Sequence, residues 1–230
     1  MSAHPHPSPE PRWRRLPEER PRQILEAALE VFGERGLAQA RLEDIAKRAG
    51  LSKGTIYLYF PNKEALFREV VQSTLIERIE RAEHEMSARS DSAGDQLAEY
   101  MREWWRFLHS GSYATLHRLV IGELHAFPDL AEFYAREVIQ RAHRLLAGIV
   151  RRGVDAGEFR RIDPMVAARM ISSMSISQAL WCQQRDVFKH VACPANDAVV
   201  LEQLVDFVFS ALRPDTSTNK PAHPRPAERK

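Results

Sequence analysis

Lys53, Gly54, Thr55, Tyr57, Leu58 and Tyr59 fall within seven consecutive residues, KGTIYLY, with Ile56 in their midst. Counted at about 100° per residue from Ile56, Gly54 and Leu58 point away from the side that Ile56 would bury, and Thr55 and Tyr57 flank them. A surface of glycine, threonine, tyrosine and leucine is poorly suited to water. It suits the edge of a nucleic-acid groove: Gly54 lets the backbone come close, Lys53 and Thr55 reach base edges or phosphates, and Leu58 meets a thymine methyl. A helix N-terminus adds unpaired backbone N–H groups and a partial positive charge. Lys63 comes directly after Asn62, a cap for the next helix, close to where a phosphate would lie.

The preceding residues supply the elements that hold this surface. Leu42, Ile45, Ala46 and Ala49 recur at three- and four-residue spacing, the stripe of one buried helical face. Gly50 tolerates positive φ, Leu51 plugs the corner, and Ser52 is an N-cap for a second short helix whose inward residues are Ile56 and Phe60. Small Ala46 allows the two helices to cross closely, the pattern of a helix-turn-helix. A helix over about Arg22–Arg35, apolar at Ile24, Leu25, Ala28, Val31 and Phe32 and ending at Gly36, braces the pair.

With EDIAKRAGL, SKGTIYLYFPNKEAL and the helix ending in FGERG, residues from about Arg22 to Phe67 resemble the DNA-binding domain of the TetR family of bacterial transcriptional regulators. The resemblance implies groove-facing roles for Lys53, Gly54, Thr55 and Leu58, and phosphate contacts for Tyr57, Tyr59 and Lys63. It implies a homodimer and a ligand-controlled repressor. One departure stands out: many members enter the second helix through paired threonines, whereas this chain has Ala40 and Arg41. Arg41 is left to meet a phosphate or water.

The chain has 230 residues and a formal net charge of +2. The charge is uneven: residues 12–63 hold 11 Lys or Arg against 7 Asp or Glu, a balance of +4, and residues 64–212 hold 17 against 21, a balance of −4. A polyanion is therefore favoured at the N-terminal third. RWRR at residues 12–15 is a candidate arm for a minor groove, or a solubilising tail. Two cysteines, Cys182 and Cys193, imply no disulfide framework. With no apolar leader and no membrane-length run, the expected location is the cytoplasm.

Of 14 prolines, only Pro61, Pro128, Pro164 and Pro194 lie between residues 22 and 213. They mark helix boundaries, and the ends are expected to be disordered. The reading is an all-α chain of about nine helices: an arm at 1–21, a helix-turn-helix domain at 22–67, a helical ligand-binding and dimerisation domain at 68–212, and a basic tail at 213–230. Expected breaks fall at Ser90–Asp95 and Gly111–Ser112. Asp129 should cap a long helix to about Gly157, and Asp163-Pro164 should open another.

The last two helices are apolar on two sides. Ile176, Leu180, Leu201, Leu204, Val205 and Val208 are expected to form a dimer interface as a four-helix bundle. A two-fold dimer would set two reading helices ~34–36 Å apart, or a multiple, on an inverted-repeat operator. The aromatic and polar residues of the middle, Trp104, Trp105, His109, His117, Val120, Glu123, Phe133, Tyr134, Met170 and Met174, are candidates for a small-molecule pocket, although such spacing also builds plain core.

No GxSxG elbow, glycine-rich phosphate loop or HExxH occurs, so no enzyme is expected. His190-x-x-Cys193 with Cys182 lacks a convincing fourth zinc ligand, and no cofactor or metal is expected. Ser172, Ser173, Ser175 and Ser177 have no positioned base and read as a polar side of the dimer helix. A ligand-free DNA-binding protein and a helical small-molecule carrier remain as alternatives, the latter leaving the Gly54–Leu58 face without purpose.

Overall fold

A computed structural model describes residues 20–88, 90–187 and 196–214. The RWRR arm, His190, Cys193, Pro194 and most of the basic tail lie outside them. Among these described residues eleven α-helices run in order: α1 Arg20–Gln39, α2 Leu42–Arg48, α3 Lys53–Tyr59, α4 Lys63–Val71, α5 Glu77–Ala88, α6 Ala93–Leu108, α7 Gly111–Glu123, α8 Pro128–Tyr134, α9 Arg141–Asp155, α10 Pro164–Gln183 and α11 Asp197–Leu212. π turns at Gln72–Ile76 and Ala135–Gln140 join α4 to α5 and α8 to α9, leaving nine continuous rods among the described residues. No described helix is long and apolar enough to cross a membrane.

The described chain divides by contacts into two compact units. The first holds residues 20–78 with Gly111–Glu137, and the second holds the remainder. The boundary expected at residue 67 is thus not where contacts thin out, because α7 packs along α1 and α8 meets α4.

In the first unit Ile24, Ala28, Val31, Phe32, Leu37, Ile45, Ala46, Ile56, Leu66 and Phe67 form the core. Phe32 and Phe67 meet edge to face at 6.1 Å. Gly36, at φ 77° and ψ 163°, breaks the helical path of α1 in a conformation that only glycine adopts readily. A Cβ there would also lie 2.3 Å from Glu123 Oε1, since Glu123 accepts a 2.9 Å bond from Ala38 N–H. Gly50 has the expected positive φ, 69°.

In the second unit α9, α10, α6 and α11 pack around Leu97, Leu108, Leu146, Ile149, Val150, Ala168, Ile171 and Val208. Glu158 closes the start of α6 by accepting from Ala93 and Gly94 N–H at 3.0 and 2.9 Å. Asp163 opens α10 as expected, accepting from Met165 and Val166 N–H at 2.8 and 3.1 Å.

Three expectations of local structure are corrected. Gly111 begins α7 instead of ending a break. Phe127 stands at the N-cap of α8 without a side-chain bond, and Asp129 lies in the first turn. Ser175 does not line a polar side: it is buried, and its hydroxyl donates to Ile171 O at 2.8 Å, which satisfies it within its own helix.

Gly36→Ala meets both a forbidden backbone conformation and an occupied space. It is expected to destabilise the protein by at least ~2 kcal/mol in chemical unfolding, more than Gly→Ala at an open helical site.

Candidate nucleic-acid interface

α3 is only seven residues long and buries one side chain, Ile56. Its start is fixed by Ser52, whose Oγ accepts from Thr55 N–H at 3.1 Å and lies 2.8 Å from Thr55 Oγ1. Tyr57, Leu58 and Tyr59 are exposed, Leu58 by 85%. Leu58 thus presents its apolar side chain to the outside between two exposed tyrosines. Around Gly54 the nearest atom to an added Cβ would be Ser52 Oγ at 3.9 Å. Among the described residues nothing requires glycine there, and the open space leaves the backbone approachable from outside.

Glu43 on α2 organises two of the outward groups. Its Oε1 lies 2.9 Å from Lys53 Nζ and accepts from Tyr57 Oη at 3.1 Å. The Lys53 hydrogen bond, with smaller contributions from its own backbone N–H and from Tyr57, lowers the Glu43 pKa to about 2. These contacts are present above the ordinary carboxylate range and are lost as pH falls toward about 2. Sequence spacing alone does not single out Glu43. It lies in the first turn of α2, and only the crossing of α2 and α3 brings it opposite a lysine and a tyrosine.

Arg41 is exposed at the N-cap of α2, and its side chain makes no cap bond. The position that usually holds a hydroxyl is thus left to a cation that faces outward. Lys63 does not extend outward. Its Nζ donates to Ala38 O at 2.6 Å and sits 5.8 Å from the centre of the Phe127 ring, so a phosphate would have to draw it from that carbonyl. Arg48 pairs with Glu30 and Glu34, and Arg35 with Asp44, clamping α1 to α2. These exposed pairs contribute little stability each, but they fix the angle between the helices.

The pocket candidates separate. In the first unit His117 stacks on Tyr113 at 5.7 Å, and burial lowers its pKa. Tyr134 is buried, its phenol pushed up to about 12 by desolvation, and Val120 is half-buried. Phe133 carries the Arg68 guanidinium over its ring at 4.6 Å, and Arg68 also donates to Asp129 O at 3.1 Å. Glu123 is occupied at Ala38 N–H, so its carboxylate braces α1.

In the second unit Trp104, Trp105 and His109 succeed one another along α6, with His109 4.6 Å from the Trp105 ring. Met170 is 58% exposed, and with Met174 it lines an open apolar groove of ≈ 650 Å³ between α10 and α11, bordered by Val166, Phe207 and Ala211. The expected dimer residues Leu204, Val205 and Val208 instead face the core of their own protomer, and Ile176, Leu180 and Leu201 are half-buried. The apolar residues left outward on these helices are Met165, Met170, Trp181, Val199 and Phe207. Both stripes of α11 are apolar, so its sequence pattern does not tell the inward side from the outward one.

A short capped helix presenting threonine, tyrosine and leucine from a helix-turn-helix defines a DNA-binding protein. Residues 24–70 match the family described as bacterial regulatory proteins, tetR family, and residues 95–212 match the AefR-like transcriptional repressor C-terminal domain. The fatty acid metabolism regulator protein of Bacillus subtilis (strain 168) is 31% identical over 82% of this chain and 95% of its own length. The crystal structure of FadR from Bacillus subtilis in complex with stearoyl-CoA aligns at a TM-score of 0.67 and 25% identity, covering 84% of this chain and 99% of that one. A putative TetR-family regulator from Mesorhizobium loti aligns at 0.62 and 26% identity, covering 84% and 95%. The chain therefore belongs to the TetR family, ligand-responsive DNA-binding transcriptional regulators. Both matched families are regulatory, and neither is catalytic.

Two substitutions probe the interface. Gly54→Ala should leave thermal stability unchanged or raise it by up to ~1 kcal/mol, because helix propensity improves in open space. It should weaken specific DNA binding at least tenfold in electrophoretic mobility shifts. Glu43→Gln removes a negative charge beside Lys53 and should strengthen binding to non-specific duplex several-fold at low salt, measured by fluorescence anisotropy.

Proposed function

We propose that the protein is a homodimeric repressor that reads an inverted-repeat operator through α3 and is released by a long-chain acyl thioester. The observation that carries the DNA part is the exposed Leu58 beside Gly54, Thr55 and Tyr57 on a helix whose start is rigidly capped. Arg41, Lys53 and Tyr59 supply phosphate contacts, and Lys63 joins them by exchanging Ala38 O for a phosphate oxygen.

The dimer forms through the outer faces of α10 and α11, where Met170, Trp181 and Phe207 stand exposed. A second copy removes these side chains from water and spaces the two reading helices by a whole number of DNA turns. The protein acts in the cytoplasm.

The acyl thioester is suggested by the similarity to a fatty acid metabolism regulator and to a FadR that holds stearoyl-CoA. Release results if the ligand prefers a conformation in which the Gly111–Glu137 segment has moved. Glu123 holds the end of α1 and Arg68 of α4 holds α8, so displacement of that segment pulls on α1, which braces the reader, and on α4, which follows it. The effect is bounded by the ligand's differential affinity for the two conformations.

The test is binding to the DNA upstream of its own coding sequence and to a random duplex pool, with a salt titration and with added stearoyl-CoA. Selection of an inverted repeat, its loss in Tyr57→Ala, and a monomer without operator affinity in the Met170→Glu, Phe207→Glu double variant are the expected results. An operator complex unmoved by stearoyl-CoA at saturating concentration would overturn the acyl effector and leave the DNA reading intact. Failure to select any repeat would overturn both.

A further inference from the structure

Within the second unit, three helix ends converge on side chains that neither the reading surface nor the exposed α10–α11 face uses. His109 lies just past the end of α6, Cys182 lies in the last turn of α10, and Asp197 begins α11. One donor atom of each lies within 4.8 Å of the other two. Cys182 is 3% exposed, and His109 and Asp197 are half-buried.

Hydrogen bonding decides which nitrogen of His109 faces the cluster. Nδ1 lies 2.9 Å from Trp105 O. A carbonyl only accepts, so Nδ1 carries a proton, and the tautomer this selects points the lone pair of Nε2 inward. Nε2 is buried, with no hydrogen-bond partner among the described residues, and lies 3.5 Å from Asp197 Oδ2. Two acceptors facing each other at this distance repel unless a proton or a cation stands between them.

An imidazole backed by a backbone carbonyl, a thiol and a carboxylate form the borderline-soft donor set that Zn²⁺ takes. Tetrahedral Zn²⁺ with bonds of ~2.0–2.3 Å holds its ligand atoms ~3.3–3.8 Å apart, so small side-chain adjustments close the cluster around an ion. Arg185 supplies the positive charge in its absence. It pairs with Asp197, and that carboxylate, with a smaller contribution from Cys182, raises the guanidinium's pKa.

We propose that His109 Nε2, Cys182 Sγ and a carboxylate oxygen of Asp197 bind one Zn²⁺, with water in the fourth position and Arg185 turned away. Binding releases the thiol proton to solvent, so that thiolate and carboxylate together neutralise the ion. The ion ties the ends of α6 and α10 to the start of α11. It thereby sets how α10 and α11, which carry exposed Met170 and Phe207, sit against each other. The site stands on the second unit's own geometry and does not depend on the identity of the effector.

The test uses metal-free full-length protein titrated with Zn²⁺ against a chromophoric chelator, and with Co²⁺ by absorption. One ion per chain should bind, at least about tenfold more weakly in Cys182→Ser and His109→Ala. Arg185→Ala should bind more tightly, because the competing cation is gone. The thiolate-to-cobalt charge-transfer band should vanish in Cys182→Ser and persist in Cys193→Ser. Circular dichroism of each metal-free variant separates lost binding from lost folding, and the Arg185→Ala gain does not depend on a destabilised variant. Affinity unchanged in both Cys182→Ser and His109→Ala, a band that tracks Cys193, or no binding at micromolar Zn²⁺ would each overturn the site.

Discussion

The whole reading surface hangs on Ile56. A seven-residue helix has no stability of its own in water, since nucleation costs more than so few hydrogen bonds return. α3 therefore exists because one isoleucine is fully buried in the first unit's core and because Ser52 satisfies its first turn. Every outward residue takes its direction from that anchor. The surface is free to be chemically unsuited to water because the opposite side alone determines the fold.

The same economy explains the Glu43 contacts. Lys53 and Tyr57 are long side chains whose rotamer freedom would be lost on meeting DNA. Held by one carboxylate in the free protein, they have already given up part of it. The cost is a negative charge near the phosphates. If α3 meets DNA as proposed, the one carboxylate orients Lys53 and Tyr57 and at the same time weakens the attraction of phosphates.

The helix-turn-helix is legible in the sequence because most of its positions have a local reason: the three-four stripe of α2, glycine at a positive φ, a serine cap, an inward isoleucine; Phe60, also read as inward, is the C-cap of α3 and only half-buried. The Asp163 cap of α10 is legible for the same cause. Contacts made across space are not. Glu123 reads as a pocket acid until Gly36 is seen beneath it. That Lys63 already donates to Ala38 O is invisible from its place after Asn62. Leu204, Val205 and Val208 cannot be assigned between two faces from sequence because α11 is apolar on both, and burial alone decides. His109, Cys182 and Asp197 are too far apart along the chain to suggest one another.

The π turn at Gln72–Ile76 gives the chain's length a geometric meaning. An α-helix advances about 100° per residue, and a π turn takes up one residue more than an α turn while closing the same circle. Removing one residue from this segment would let it close as an ordinary α turn with the faces on either side still in register, whereas removing one from a regular turn of α4 would rotate every face that follows in the same helix by about 100°.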